Sequence, residues 1–247
     1  MLAIIGGSGT GRLFTGPGRQ RRIVRTPYGD PSGPIVRAEV AGKALLFLAR
    51  HGVGHVLPPH RINYRANLYA LKESGASAIV ALAAVGGISA DSGPGRLVIP
   101  HQIIDYTYGR EATFFDGADR RVFHIDFTEP YDESLRARLA TAAQQAQVDV
   151  LKHGVYAATQ GPRLETAAEI ERLRRDGATV VGMTGMPEAA LARELELPYA
   201  HLCLVVNWAA GVADSTRRID LAAIEQVMSD CVRRAEAIVT ALAASNE

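Results

Sequence analysis

The chain has 247 residues, 47% of them hydrophobic, with 27 basic and 26 acidic side chains and a formal net charge of +1. That balance excludes a general pull toward nucleic acid or a membrane surface, so strong anion binding must come from a local site. Cys203 and Cys231 have no CxxC spacing and read as buried free thiols of a reducing cytoplasm. With no leader-like start and no stretch approaching ~20 apolar residues, a cytoplasmic protein is expected.

Strands are expected at 2–5, 35–40, 44–49, 77–84, 96–99, 153–159, 178–183 and 199–206, mostly as short apolar runs of the kind buried on both faces. Helices are expected between them. Residues 62–74 end at Gly75, and 133–147 follow Asp132. Residues 166–176 open on the capping-box pair Thr166 and Glu169 and stop at Gly177. Residues 187–196 open on Pro187, which suits a first helical turn. The last helix, 221–243, places Leu221, Ile224, Met228, Cys231, Ala235, Ile238 and Leu242 along one face. Alternating strands and helices with no dividing linker predict one α/β domain over 1–247, a mixed, largely parallel sheet sandwiched by helices.

Six stretches at strand ends carry possible chemistry. Gly6-Gly7-Ser8-Gly9 follows the first strand, where backbone N–H groups and the Ser8 hydroxyl can approach an anion. A dinucleotide loop would need glycine where Arg12 stands, and Gly-Lys-Ser/Thr is missing for a Walker loop; a tight turn explains the residues equally well. Leu48-Ala49-Arg50-His51-Gly52 ends another strand, and Arg50 offers a fork of donors to phosphate oxygens. Ala83 to Ile88 offers free backbone donors. Thr159 to Thr166 turns a strand into a capped helix with Glu165 just before the cap. Gly182-Met183-Thr184-Gly185-Met186-Pro187-Glu188 brings a hydroxyl and a thioether, and Val205 to Gly211 brings Asn207 to the end of a buried strand. Each alone is as well explained by packing or a structural hydrogen bond.

Together and in order, these stretches resemble the trimeric purine nucleoside and methylthioadenosine phosphorylase family. The resemblance runs through Ile4 to Gly9, Leu48 to Gly52, Asn63-Tyr64-Arg65-Ala66-Asn67, His124-Ile125-Asp126-Phe127, Gly161-Pro162-Arg163, Met183 to Glu188 and Val206-Asn207. It implies a nucleoside phosphorylase-like fold, a homotrimer, and inorganic phosphate as co-substrate with no metal or organic cofactor. By the same resemblance, Ser8, Arg50, His51, Thr184 and the backbone at Ala84 hold phosphate, and Met183 packs on the ribose. Asn207, Trp208 and Ala209 face the base, with Asn207 catalytic. Glu165 lies at the base edge, His124 reaches the 5' end of a neighbouring subunit's substrate, and Ile219 is a wall of the 5' pocket.

The base can be argued from hydrogen bonding. Hypoxanthine offers an N1–H donor and an O6 acceptor; adenine offers the reverse. A Glu165 carboxylate accepts and an Asn207 amide donates, which suits a 6-oxopurine. Adenine-specific relatives carry Ser and Asp at the matching positions. The expected reaction is phosphorolysis of methylthioinosine to hypoxanthine and 5-methylthioribose 1-phosphate. The alternatives are an inosine/guanosine phosphorylase, a Rossmann oxidoreductase and a non-catalytic nucleoside-binding protein.

Overall fold

The structure, a computed structural model, describes residues 1–7, 10, 14, 18–117, 122–216 and 221–245, apart from the side chains of 214, 216 and 221–223. The strands are β1 (Leu2–Gly6), β2 (Gln20–Arg22), β3 (Ile35–Val40), β4 (Lys43–Ala49), β5 (Ala78–Gly87), β6 (Leu97–Val98), β7 (Gln102–Asp105), β8 (Val150–Leu151), β9 (Val155–Ala158), β10 (Val180–Gly182) and β11 (Tyr199–Trp208). The helices are α1 (Tyr64–Glu73), α2 (Glu133–Gln145), α3 (Ala167–Arg175), α4 (Gly185–Glu194) and α5 (Leu221–Ala244).

All these strands join one mixed sheet whose path runs β2-β3-β4-β1-β5-β10-β9-β7, with β11 alongside β5. The centre is parallel: β1 lies between β4 and β5, and β5 pairs with β11 from Ile79 to Gly87. Antiparallel pairs appear where β2 meets β3, β3 meets β4, and β10 meets the end of β5. Alternate residues feed opposite faces. Ile5, Leu48, Ile79 and Ala81 pack with Leu68 and Leu71 of α1 and Leu191 of α4. Ile4, Phe47, Val80 and Leu82 pack with Leu135 and Leu139 of α2 and Ile238 and Leu242 of α5. Burial on both faces explains why the central strands read as unbroken apolar runs.

Helix starts follow local chemistry. The Asp132 carboxylate accepts from the Leu135 N–H at 2.7 Å, beginning α2. Thr166 and Glu169 close the expected capping box on α3. The Asn63 side chain accepts from Ala66 N–H at 3.0 Å to start α1 and donates to the Tyr28 carbonyl at 2.7 Å. In α4 the residue before Pro187, Met186, is extended (φ −119°, ψ 141°), so regular helix begins at the proline. Three strands lie outside the expected set. β2 is three exposed polar residues, β7 is short and half-buried, and β8 has two residues, so none carries an apolar run.

Candidate active site

A cleft of about 630 Å³ opens where the ends of β1, β4, β5, β10 and β11 converge. Gly7, Arg50, His51, Ala83, Ala84, Gly86, Met183, Thr184, Asn207, Ala209 and Glu165 all line it. The structure therefore gathers into one cavity residues as far apart in the chain as Gly7 and Asn207. Ser8 and Ile219 lie outside the described residues.

Arg50 is fully buried and forms a bidentate pair with Glu188, Nε to Oε2 and Nη2 to Oε1, both at 2.7 Å; Nη1 donates to the Leu82 carbonyl at 2.8 Å. Burial works against the cation, and the Glu188 carboxylate more than offsets it, so the Arg50 pKa lies above its ordinary value. Glu188 Oε1 also accepts from the Tyr199 hydroxyl at 2.8 Å. The Tyr199 hydroxyl sits 3.4 Å from His201 Nε2, and the His201 ring stacks on Tyr156 at 5.0 Å. The Tyr156 hydroxyl in turn accepts from the Thr184 N–H at 3.3 Å. Gly182 is needed beside it, because a Cβ there would lie 2.1 Å from the Tyr156 oxygen. Arg50 and Thr184 thus hang from one buried network. Thr184 occupies the N-cap position of α4, yet its hydroxyl makes no capping bond.

The His51 Nδ1 lies 2.8 Å from the Leu57 carbonyl, so Nδ1 carries the donated proton and Nε2 keeps its lone pair. Burial first, and the Arg50 charge second, push the imidazole pKa down to about 4.

At the other end of the cleft, β11 slips register between Val205 and Asn207, leaving Val206 as the extra residue of a bulge. A bulge bends the strand and re-aims its side chains, here just where Val206 and Asn207 enter the cleft. Asn207 Nδ2 donates to the Trp208 carbonyl at 2.6 Å, and the Ser215 hydroxyl donates to the same oxygen at 2.9 Å. One Asn207 N–H is held, and among the described residues the second has no partner. Glu165 Oε1 accepts from the Thr159 hydroxyl at 2.6 Å, leaving Oε2 for a ligand. Gly161 has φ +61°, a left-handed turn, and Met183 packs so closely on it that a Cβ would meet the sulfur at 2.5 Å.

One expectation changes. The Trp208 side chain does not line the cleft; its ring lies against Gly93, and its carbonyl orients Asn207. This follows from alternation, since neighbouring residues on a strand point to opposite faces. His124 is exposed and outside the cleft of its own chain. The sequence reading also missed Ile224 and Met228 of α5 as cleft residues. They sit on the apolar stripe assigned to the core, and that stripe runs past the core into the cleft. Among the described residues, no cluster of three or more His, Cys, Asp or Glu side chains is arranged to hold a metal ion.

The chain belongs to the phosphorylase superfamily, which matches residues 1–244. It is 54% identical over 237 residues, 96% of each chain, to a Pseudomonas syringae pv. tomato protein named probable S-methyl-5'-thioinosine phosphorylase. It is 47% identical over 217 residues, 86% of this chain and 81% of the other, to the 6-oxopurine nucleoside phosphorylase of Pyrococcus furiosus. The fold superposes on methylthioadenosine phosphorylase from Schistosoma mansoni in complex with tubercidin with a TM-score of 0.90 at 33% identity, covering 98% of this chain and 90% of that one.

Proposed function

We propose that the protein is a purine nucleoside phosphorylase whose substrate is S-methyl-5'-thioinosine, split by inorganic phosphate into hypoxanthine and 5-methylthioribose 1-phosphate. The observation that carries this reading is the meeting of two unlike groups of side chains in one cleft: Arg50, His51 and Thr184 at one end, Asn207 and Glu165 at the other.

A phosphate at the Arg50 end meets a guanidinium, the Thr184 hydroxyl and the backbone at Ala84. The neutral His51 Nε2 accepts from the protonated phosphate oxygen. Met183 packs on the ribose between the two ends. A phosphate oxygen then attacks C1' as the N9–C1' bond breaks; the bonding pair leaves with the purine, and the proton given up by the phosphate ends on the base to give hypoxanthine. No protein nucleophile is required; the chain positions the reactants and stabilises charge as it develops. The free Asn207 N–H faces O6 and N7, where the departing base becomes negative. Glu165 Oε2 accepts from N1–H. Phosphate is a co-substrate, and no cofactor takes part.

The apolar side chains Val56, Leu57, Ile224 and Met228 that share the cleft suit a methylthio group better than a 5'-hydroxyl. The inosine/guanosine reading is kept because the Pyrococcus relative is named for 6-oxopurine nucleosides. The working unit is read as a cytoplasmic homotrimer of one domain, 1–247, in which the exposed His124 serves a neighbouring subunit's substrate. Sedimentation tests the assembly: a fully active monomer would reject it.

Base release from methylthioinosine, methylthioadenosine, inosine and guanosine, with and without phosphate, tests the activity. Each of two mispairs with adenine typically costs ~1–3 kcal/mol. Methylthioinosine should therefore exceed methylthioadenosine in kcat/KM by on the order of several hundredfold. Equal efficiency would overturn the base reading, and nucleoside binding without phosphate-dependent release would overturn the enzyme.

A further inference from the structure

We infer that Arg110, which does not line the cleft, is the positioning residue that holds the base-facing loop and the sugar- and phosphate-facing turn in register. The inference rests on the functional reading of those two segments given above.

Arg110 donates to the backbone of both. Its Nη2 reaches the carbonyls of Thr159 at 3.3 Å and Gln160 at 2.9 Å, and its Nη1 reaches those of Met183 at 2.8 Å and Met186 at 2.5 Å. Its Nε donates to Gln160 Oε1 at 3.2 Å. Nη1 also donates to the Tyr64 hydroxyl at 3.2 Å, which itself donates to the carbonyl of Pro59 on the cleft wall at 3.0 Å. The guanidinium lies 5.5 Å from the Tyr64 ring centre. Among the described residues no carboxylate forms an ion pair with it. The side chain is thus used on main-chain carbonyls, a task that a planar fork of five donors performs and a single ammonium does not.

The consequence is local and specific. The peptide between Met183 and Thr184 is fixed at both ends, its carbonyl by Arg110 and its N–H by the Tyr156 hydroxyl. The carbonyls of Thr159 and Gln160 are held just before the turn that carries Glu165, and Thr159 itself donates to Glu165. One cation therefore sets the separation of Glu165 from Met183 and Thr184. Reaction rates are sensitive to such spacing, since a misplacement of about 1 Å can cost on the order of 100-fold.

The experiment is hydrogen exchange on Arg110→Ala and Arg110→Lys, paired with steady-state kinetics on nucleoside and phosphate. In Arg110→Ala, amide exchange is expected to quicken together at 159–166 and 183–186. The kcat should fall on the order of 100-fold, the KM for both substrates should rise, and added guanidinium ion should restore part of the rate. Lys, with three donors, should fall between Ala and the parent, and it serves alone if Ala does not fold. Unchanged exchange at either segment, activity within about twofold of the parent, or a defect confined to one substrate would overturn the inference. If the unaltered protein releases no base, the proposed function fails, and the exchange pattern alone decides the role of Arg110.

Discussion

At the Arg50 end of the cleft, Arg50 and Thr184 are deeply buried with their supports in one network, while His51 is half-buried: Arg50, Glu188 and His201 are 0% exposed, and Tyr199 and Thr184 are 2% and 6% exposed. At the Asn207 end, the two polar side chains are half-buried, and among the described residues each makes a single hydrogen bond, Asn207 to the next carbonyl and Glu165 to Thr159. The first arrangement is fixed by folding, and removing one partner alone loosens the core. The second rests on a strand bulge and a turn and can change its side chains cheaply. Under the proposed function, a base-facing end of this kind can vary while the rest of the fold is kept. On the same proposal, the phosphate-facing groups are tied to stability, while the base-facing groups sit where substitution costs the fold little.

The largest effects should come from breaking the buried pair. Arg50→Ala leaves Glu188 buried without its cation, and Glu188→Ala does the same to Arg50. Removing one partner of a buried pair costs about 3–5 kcal/mol. Both variants should show a large drop in Tm, so Arg50→Ala by itself does not isolate phosphate binding. The double variant Arg50→Met/Glu188→Leu separates the two roles. Replacing both charges with apolar groups should recover much of the stability while phosphate dependence stays lost. Full stability in Arg50→Ala would mean that the pair does not hold this end of the cleft together.

At the other end, Asn207→Asp should leave Tm nearly unchanged, because only one hydrogen bond to a neighbouring carbonyl is lost. Its catalytic effect should be larger. An ionised Asp cannot donate to O6 but accepts from an adenine amino group. Kinetics should show methylthioinosine activity falling by on the order of 10- to 100-fold, the loss of one buried donor, with the preference over methylthioadenosine narrowed. Glu165→Gln should narrow the preference as well, since an amide can present a donor to adenine N1. If Asn207→Asp lowered Tm as much as Arg50→Ala, the contrast between the two ends would collapse.

The central strands and the helix caps were legible in the sequence because their causes are local. Leu2–Gly6 and Ala78–Gly87 are apolar runs, and Thr166 with Glu169 is a three-residue spacing. Arg50 and Asn207 were legible as polar residues at strand ends, and Glu165 as an acid in the turn before a capped helix. Their supports were not. Glu188 lies 138 positions from Arg50, and no periodicity links them. Arg110 sits in a segment with no regular secondary structure, and what it binds is carbonyl oxygen, which leaves no trace in the identity of the partner residues. The bulge at Val206 was hidden for a related reason, since Val205-Val206-Asn207 reads as an uninterrupted strand. Ile224 and Met228 show the opposite case, in which a correct apolar stripe did not reveal what its first turns face.

The smallest expected effect belongs to His51 and is read in pH. Its imidazole ordinarily titrates near 6.5, and in the fold burial and then Arg50 push it down to about 4. Between those two values the unfolded chain binds a proton that the folded chain refuses. Unfolding therefore takes up a proton, and stability falls as pH drops from 6.5 toward 4. Above 6.5 the ring is neutral in both states and this contribution is constant. His201, pushed well below its usual range by burial and then by Arg50, acts in the same direction. His51→Asn removes only the first of the two, so its denaturation midpoint should fall with acid less steeply than that of the parent while still falling. Phosphate gives the sharper comparison. An anion beside the ring favours the imidazolium, so saturating phosphate should flatten the acid slope of the parent more than that of His51→Asn. Equal slopes in both proteins, with and without phosphate, would detach His51 from the anion end of the cleft and leave that end to Arg50 and Thr184.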